Sequence, residues 1–87
     1  MQHELVLYQY DTCPFCRRVT RFMAKHGIEI PMRDTLRDPQ ARAELMEAGG
    51  KGQVPALMID GRVLYESRAI IAWMEENLIG EEALHTA

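Results

Sequence analysis

Residues 8–19 read YQYDTCPFCRRV and hold both cysteines of the 87-residue chain, with a proline and a phenylalanine between them. The pair follows LVLYQY (Leu5–Tyr10), a short apolar run of strand-forming residues that suits a buried strand. After Pro14 the period changes. Phe15, Val19, Phe22, Met23 and His26 fall at helical spacing, with Arg17, Arg18, Arg21 and Lys25 on the other side, and Gly27 supplies a stop. A dithiol placed where a strand hands over to a helix leaves few folds open.

With Cys13 as N-cap, Pro14 takes the first helical position, where its missing N–H is no loss. The Cys13 sulfur then lies near the unpaired N–H groups of the first turn and the positive end of the helix dipole, a setting that favours thiolate over thiol. Cys16 lies one turn on, on the same face, better covered and placed to attack a mixed disulfide formed on Cys13. Cys13 is the expected nucleophile and Cys16 the resolving thiol. Other uses of the pair are weaker. Zinc needs two further ligands, and His3, His26 and His85 lack paired spacing, so no metal is expected. A disulfide across two residues closes too small a loop to stabilise much. Two inert core cysteines remain the bland alternative.

Further along, IEIPMR (residues 28–33) alternates like a half-buried strand, with Pro31 arguing for an edge. Asp38 and Pro39 open a helix that Gly49-Gly50 closes. VPALMIDGRVLY reads as two strands around Asp60-Gly61, a strong hairpin signal. SRAIIAWMEENL is a last amphipathic helix, with Ser67 as its N-cap and Ile70, Trp73, Met74 and Leu78 facing inward. Residues 80–87 carry no signal and are expected to form a tail beyond a single domain over 1–79. The order β-α-β-α-β-β-α, with a right-handed crossover and a closing hairpin, predicts an α/β chain: a four-stranded mixed sheet with helices packed on it, the thioredoxin-like arrangement.

Composition adds exclusions. Residues are 47% hydrophobic and 26% charged, an ordinary globular balance. A net charge of −3, without a run of lysines and arginines, argues against nucleic acid or an anionic membrane as partner. No apolar run approaches the ~20 residues that span a bilayer, and MQHELVLYQY lacks the features of a signal peptide. A cytoplasmic monomer is expected, in a compartment that keeps thiols reduced.

Three elements carry a family resemblance. Cys13-Pro14-Phe15-Cys16 resembles the glutaredoxin active site. Gln53-Val54-Pro55 sits where glutaredoxins have a Thr-Val-Pro segment with a cis proline. Tyr65-Glu66-Ser67-Arg68-Ala69-Ile70 resembles the Glu-Ser-x-Ala-Ile motif of the N-terminal domain of glutathione transferases. The resemblance runs to about Leu78 and implies glutathione as co-substrate. It places the Val54 backbone, with Gln53 and Pro55 beside it, against the cysteinyl unit of glutathione. It places Ser67 at the γ-glutamyl carboxylate and Glu66 at the γ-glutamyl ammonium. Outside the matched motifs, Lys51 is a candidate for the glycyl carboxylate, with a solvated lysine in a Gly-rich loop as the bland reading. The bland readings are a strand-entry turn for Pro55 and an ordinary helix cap for Glu66-Ser67.

There are departures. Tyr10 stands where many glutaredoxins carry a lysine, and the helical second domain that transferases use for electrophiles is not expected here, nor therefore is conjugation. The implied function is a glutathione-dependent thiol–disulfide oxidoreductase that reduces glutathionylated or disulfide-bonded proteins, with Phe15 as part of the contact surface. The alternatives are a glutathione-binding module without turnover and a [2Fe–2S] carrier, the latter disfavoured by Pro14.

Overall fold

The computed structural model describes residues 3–79. Their elements are β1 (Leu5–Gln9), α1 (Pro14–His26), β2 (Met32–Asp34), α2 (Pro39–Gly49), β3 (Ala56–Ile59), β4 (Arg62–Tyr65) and α3 (Ser67–Asn77). The sheet order is β2-β1-β3-β4. β1 pairs parallel with β2 and antiparallel with β3, and β3 pairs antiparallel with β4. This is the expected thioredoxin-like architecture. The proposed tail, residues 80–87, lies outside the described residues.

Neighbouring side chains of a strand point to opposite faces, so a strand covered on both sides reads as a continuous apolar run. β1 behaves this way. Leu7 lies opposite Leu57 of β3 and packs into a core with Val19 and Met23 of α1, Ile30, and Ile70 and Met74 of α3. Tyr8 lies opposite Ala56 and packs on the other face with Ala41 and Leu45 of α2. Fully burying a leucine such as Leu7 or Leu57 contributes about 1.5–3 kcal/mol. The Tyr8 hydroxyl donates to Glu44 at 3.2 Å, and Arg33 reaches Glu44 at 3.0 Å and Asp38 at 3.1 Å.

Local chemistry explains the ends. Asp38 caps α2 by accepting the Gln40 N–H at 3.0 Å. Asp60 (φ 51°) and Gly61 (φ 88°) both have positive φ, as a two-residue hairpin turn requires. The Asp60 carboxylate also accepts the Glu4 N–H at 2.8 Å and bonds His3 at 2.7 Å, so the start of β1 is stitched to the hairpin.

Four expectations need correction. The strand read over residues 28–33 shrinks to Met32–Asp34. Gly27 turns left-handed and the Ile28 N–H bonds back to the Met23 carbonyl at 2.9 Å, so Ile28 still belongs to the α1 cap. Ile30 is buried without being a strand residue. Ser67 is the first helical residue of α3, and Glu66 holds the cap position: its carbonyl accepts the Ile70 N–H at 3.0 Å. Leu78 is exposed, because the core beneath α3 ends at Met74. His26 is exposed as well, whereas the exposure of Phe15 agrees with its reading as a surface residue between the cysteines. The buried stripe of α1 is Cys16, Val19 and Met23, at i, i+3 and i+7.

Gly49, at the end of α2, meets the side chain of Tyr65, whose hydroxyl donates to the Lys51 carbonyl at 2.7 Å. A Cβ at Gly49 would run into that hydroxyl. Gly49→Ala is expected to lower stability by about 1–3 kcal/mol, read as a shift of the urea midpoint. An unchanged midpoint would mean that Tyr65 moves aside freely.

Candidate active site

β1 reaches α1 through four residues, Tyr10 to Cys13. The Cys13 N–H donates to the Tyr10 carbonyl at 3.2 Å, and the Cys13 carbonyl accepts the Arg17 N–H at 3.0 Å. Cys13 is therefore the N-cap of α1, with extended backbone (φ −83°, ψ 118°) and Pro14 following in the first turn. No side chain caps this end through Cys13, and the first turn holds no acidic residue. Orphan N–H groups and an unopposed dipole are what an anionic sulfur needs at such a place.

The two thiols are free and unequal. Cys16 is fully buried, and Cys13 keeps 8% of its surface. Burial pushes the Cys16 thiol up to about 12; the Tyr10 backbone opposes the rise, and Cys13 beside it adds to it. Cys16 thus holds its proton through the neutral range.

Beside the first turn of α1 lies a groove of about 820 Å³. It is lined by Gln53, Val54, Pro55, Glu66 and Ser67 together with Phe15, Arg18, Arg68, Ala69 and Ala72. All five residues singled out from the two downstream motifs therefore face one cleft, although they are spread over Gln53–Ser67. The cysteines do not line it; they sit at the start of the helix whose Phe15 and Arg18 form a wall. The Val54–Pro55 bond is cis. Among the described residues, neither the N–H nor the C=O of Val54 has a backbone partner.

Glu66 stands out. Its φ of 78° lies where non-glycine residues are strained by on the order of 1–3 kcal/mol. Its carboxylate accepts from Gln53 Nε2 at 3.2 Å. Glycine would adopt this conformation without strain, which makes the Glu66 carboxylate a candidate for a functional group. Ser67 follows, buried at the start of α3.

Lys51 is elsewhere. Its Nζ lies over the Tyr65 ring at 4.7 Å, and the residue does not line the groove. The cations of the groove are Arg18 and Arg68, which sequence reasoning missed, as it missed Ala69 and Ala72. Helical period set Arg18 on the outer side of α1, and nothing in that period said that this side borders a cleft. Among the described residues, no three His, Cys, Asp or Glu side chains gather as metal ligands.

A four-stranded mixed sheet, a Cys-Pro-Phe-Cys helix start and a cleft alongside define a thioredoxin-like dithiol domain. Residues 7–81 match the family described as glutathione S-transferase, N-terminal domain, and the chain belongs to that family. Prostaglandin E synthase 2 of Danio rerio is 35% identical over 68 residues, 78% of this chain and 17% of that protein. The structure of glutathione transferase E6 from Drosophila melanogaster superposes with a TM-score of 0.66 at 32% identity, over 83% of this chain and 34% of that one. Glutaredoxin C1 from Populus tremula x tremuloides shares the fold at a TM-score of 0.67 and 18% identity, over 97% of this chain and 86% of that one. The chain thus spans about a third or less of the transferase and the synthase.

The raised Cys16 thiol makes stability depend on alkaline pH. The unfolded chain loses this proton near the ordinary value of 9.0, and the folded chain holds it to about 12. Between the two the unfolded state binds fewer protons, so stability falls as pH rises through that window and is untouched below it. Urea unfolding of the reduced protein across the window is expected to show the fall, with a shallower one in Cys16→Ala. Equal slopes would contradict the assignment.

Proposed function

We propose that this chain is a glutathione-dependent thiol–disulfide oxidoreductase that reduces glutathionylated proteins and mixed disulfides. The observation that carries the reading is the groove: Val54, Glu66 and Ser67 converge on it next to the helix that Cys13 opens. A site of about 820 Å³ with a few polar groups on an apolar lining suits a peptide-sized ligand.

Each group has a task that its chemistry fits. The unpaired N–H and C=O of Val54 pair with the cysteinyl backbone of glutathione. The Glu66 carboxylate takes the γ-glutamyl ammonium, with Gln53 orienting it from 3.2 Å. Ser67, at the start of α3, offers N–H groups and a hydroxyl to the γ-glutamyl carboxylate. Arg18 and Arg68 supply cations for the remaining carboxylate.

The reaction balances as two exchanges. The Cys13 thiolate attacks the glutathione sulfur of a protein–glutathione disulfide. A Cys13–glutathione disulfide forms, the old S–S bond breaks, and the protein sulfur leaves as thiolate and takes a proton from water. A second glutathione thiolate then attacks the glutathione sulfur on Cys13. Oxidised glutathione leaves and the Cys13 thiolate returns. Two electrons pass from glutathione to the substrate sulfur. Cys16 competes poorly for the intermediate, because burial, the largest cause of its high pKa, persists there. The monothiol route is therefore the main one.

A glutathione-coupled assay on a mixed disulfide tests this. Cys13→Ser is expected to abolish turnover, and Cys16→Ser to keep most of it. Glu66→Gly is expected to match or exceed the native thermal stability, because glycine accepts the positive φ, while KM for glutathione rises. Equal loss in both cysteine variants, or an unchanged KM in Glu66→Gly, would contradict the reading.

A further inference from the structure

The groove accounts for one flank of α1, and the adjoining flank differs from the rest of the molecule. Arg17, Arg18, Arg21 and Lys25 are all exposed and fall within an arc of about 100° on the helix. The chain has ten lysines and arginines and thirteen aspartates and glutamates. Four of those ten, and none of the thirteen, lie on α1. Among the described residues, none of the four takes part in an ion pair, whereas Arg33 and Arg37 do. An acidic protein thus carries one basic stripe of a single sign.

The stripe is shaped as well as charged. Pro14, Arg17, Arg18 and Arg21 line a depression of about 360 Å³, and Pro14 follows Cys13 directly in the chain. Arg17 Nε donates to the Asp11 carbonyl at 3.2 Å, which steadies its guanidinium at the mouth of the helix. The Arg18 guanidinium lies 5.9 Å from the centroid of the Phe15 ring, which is 57% exposed. An apolar ring with a cationic lip therefore begins beside the dithiol and continues along the helix. Unpaired like charges on one face repel, and an anionic partner turns that repulsion into attraction.

We propose that this face docks an acidic stretch of the protein substrate, so that the preferred substrates are proteins whose glutathionylated cysteine is flanked by aspartates and glutamates. The proposal rests on the oxidoreductase reading and names the substrate class of that site. Arg17 to Lys25 spans about 12 Å of helix, the length of roughly four extended residues. A short acidic segment matches it. A nucleic-acid backbone, which is longer than the stripe, would also meet the repulsion of a chain with a net charge of −3, which disfavours it.

The test uses two glutathionylated peptides, identical except for a run of aspartates or of asparagines beside the cysteine. At low salt kcat/KM is expected to be about tenfold higher for the acidic peptide, and the gap should close as salt rises. The double variant Arg21→Glu, Lys25→Glu should remove or invert the preference and leave turnover of the cysteine–glutathione mixed disulfide unchanged. Equal rates for the two peptides, or a preference that survives both salt and charge reversal, would overturn the proposal. If neither peptide turns over, the oxidoreductase reading fails by itself. Fluorescence anisotropy of the labelled, unmodified acidic peptide on Cys13→Ser protein then decides the docking face: salt-sensitive binding lost in the double variant sustains it, and no binding overturns it. Competition by a single-stranded RNA of similar length at equal strength also overturns it, since the face would then select charge alone.

Discussion

β1 is hydrogen-bonded on both edges, to β2 on one side and β3 on the other, and packed by helices on both faces. Only its end is open, and four residues later the chain is already in α1. With both edges and both faces of β1 taken, the start of α1 has one position. Val19 and Met23 lock the helix to Leu7 and Leu57, and the Cys13 N–H is tied to the Tyr10 carbonyl. The same lock that orients the helix dipole sets Cys13 at its positive end and sends Cys16 into the interior. Placement and asymmetry of the dithiol both follow from how the central strand is held.

That asymmetry divides the labour. A thiol with its sulfur at a helix start and a little surface is suited to attack; one fully buried with its pKa pushed to about 12 is suited to wait. The groove adds what the dithiol lacks, a surface that can hold a peptide by its backbone and its charges. Glu66 contributes a carboxylate in a backbone conformation that ordinary folding energetics would not choose, and Gln53 keeps that carboxylate in place. The proposed chemistry needs both parts, because exchange between thiols is general and a bound glutathione makes it selective.

Much of this could be read from the residues. Period, a proline after Cys13 and the Asp38 and Gly27 end signals locate α1 and α2, since caps and periodicity act locally. Asp60-Gly61 marks the hairpin for the same reason. Less local effects were hidden. Ile28 and Ile30 alternate like a strand, but a left-handed Gly27 folds Ile28 back onto α1. Serine is the stronger cap by preference, yet Glu66 takes the cap with a positive φ that no propensity announces. The groove residues Gln53 to Pro55 and Glu66-Ser67 were legible by resemblance, and Arg68 and Ala69 stood in the same motif without a role assigned to them, whereas Arg18 joins them through packing between α1 and α3, which no short window of sequence contains.

The central claim is that Cys13, and not Cys16, carries glutathione between substrate and solvent. The direct measurement is peptide mass analysis of Cys16→Ser protein after incubation with oxidised glutathione and quenching in acid. The account predicts one glutathione on the peptide that contains Cys13, released on adding reduced glutathione. A Cys13 that stays unmodified in that folded variant, while denatured protein takes up the adduct, would contradict it.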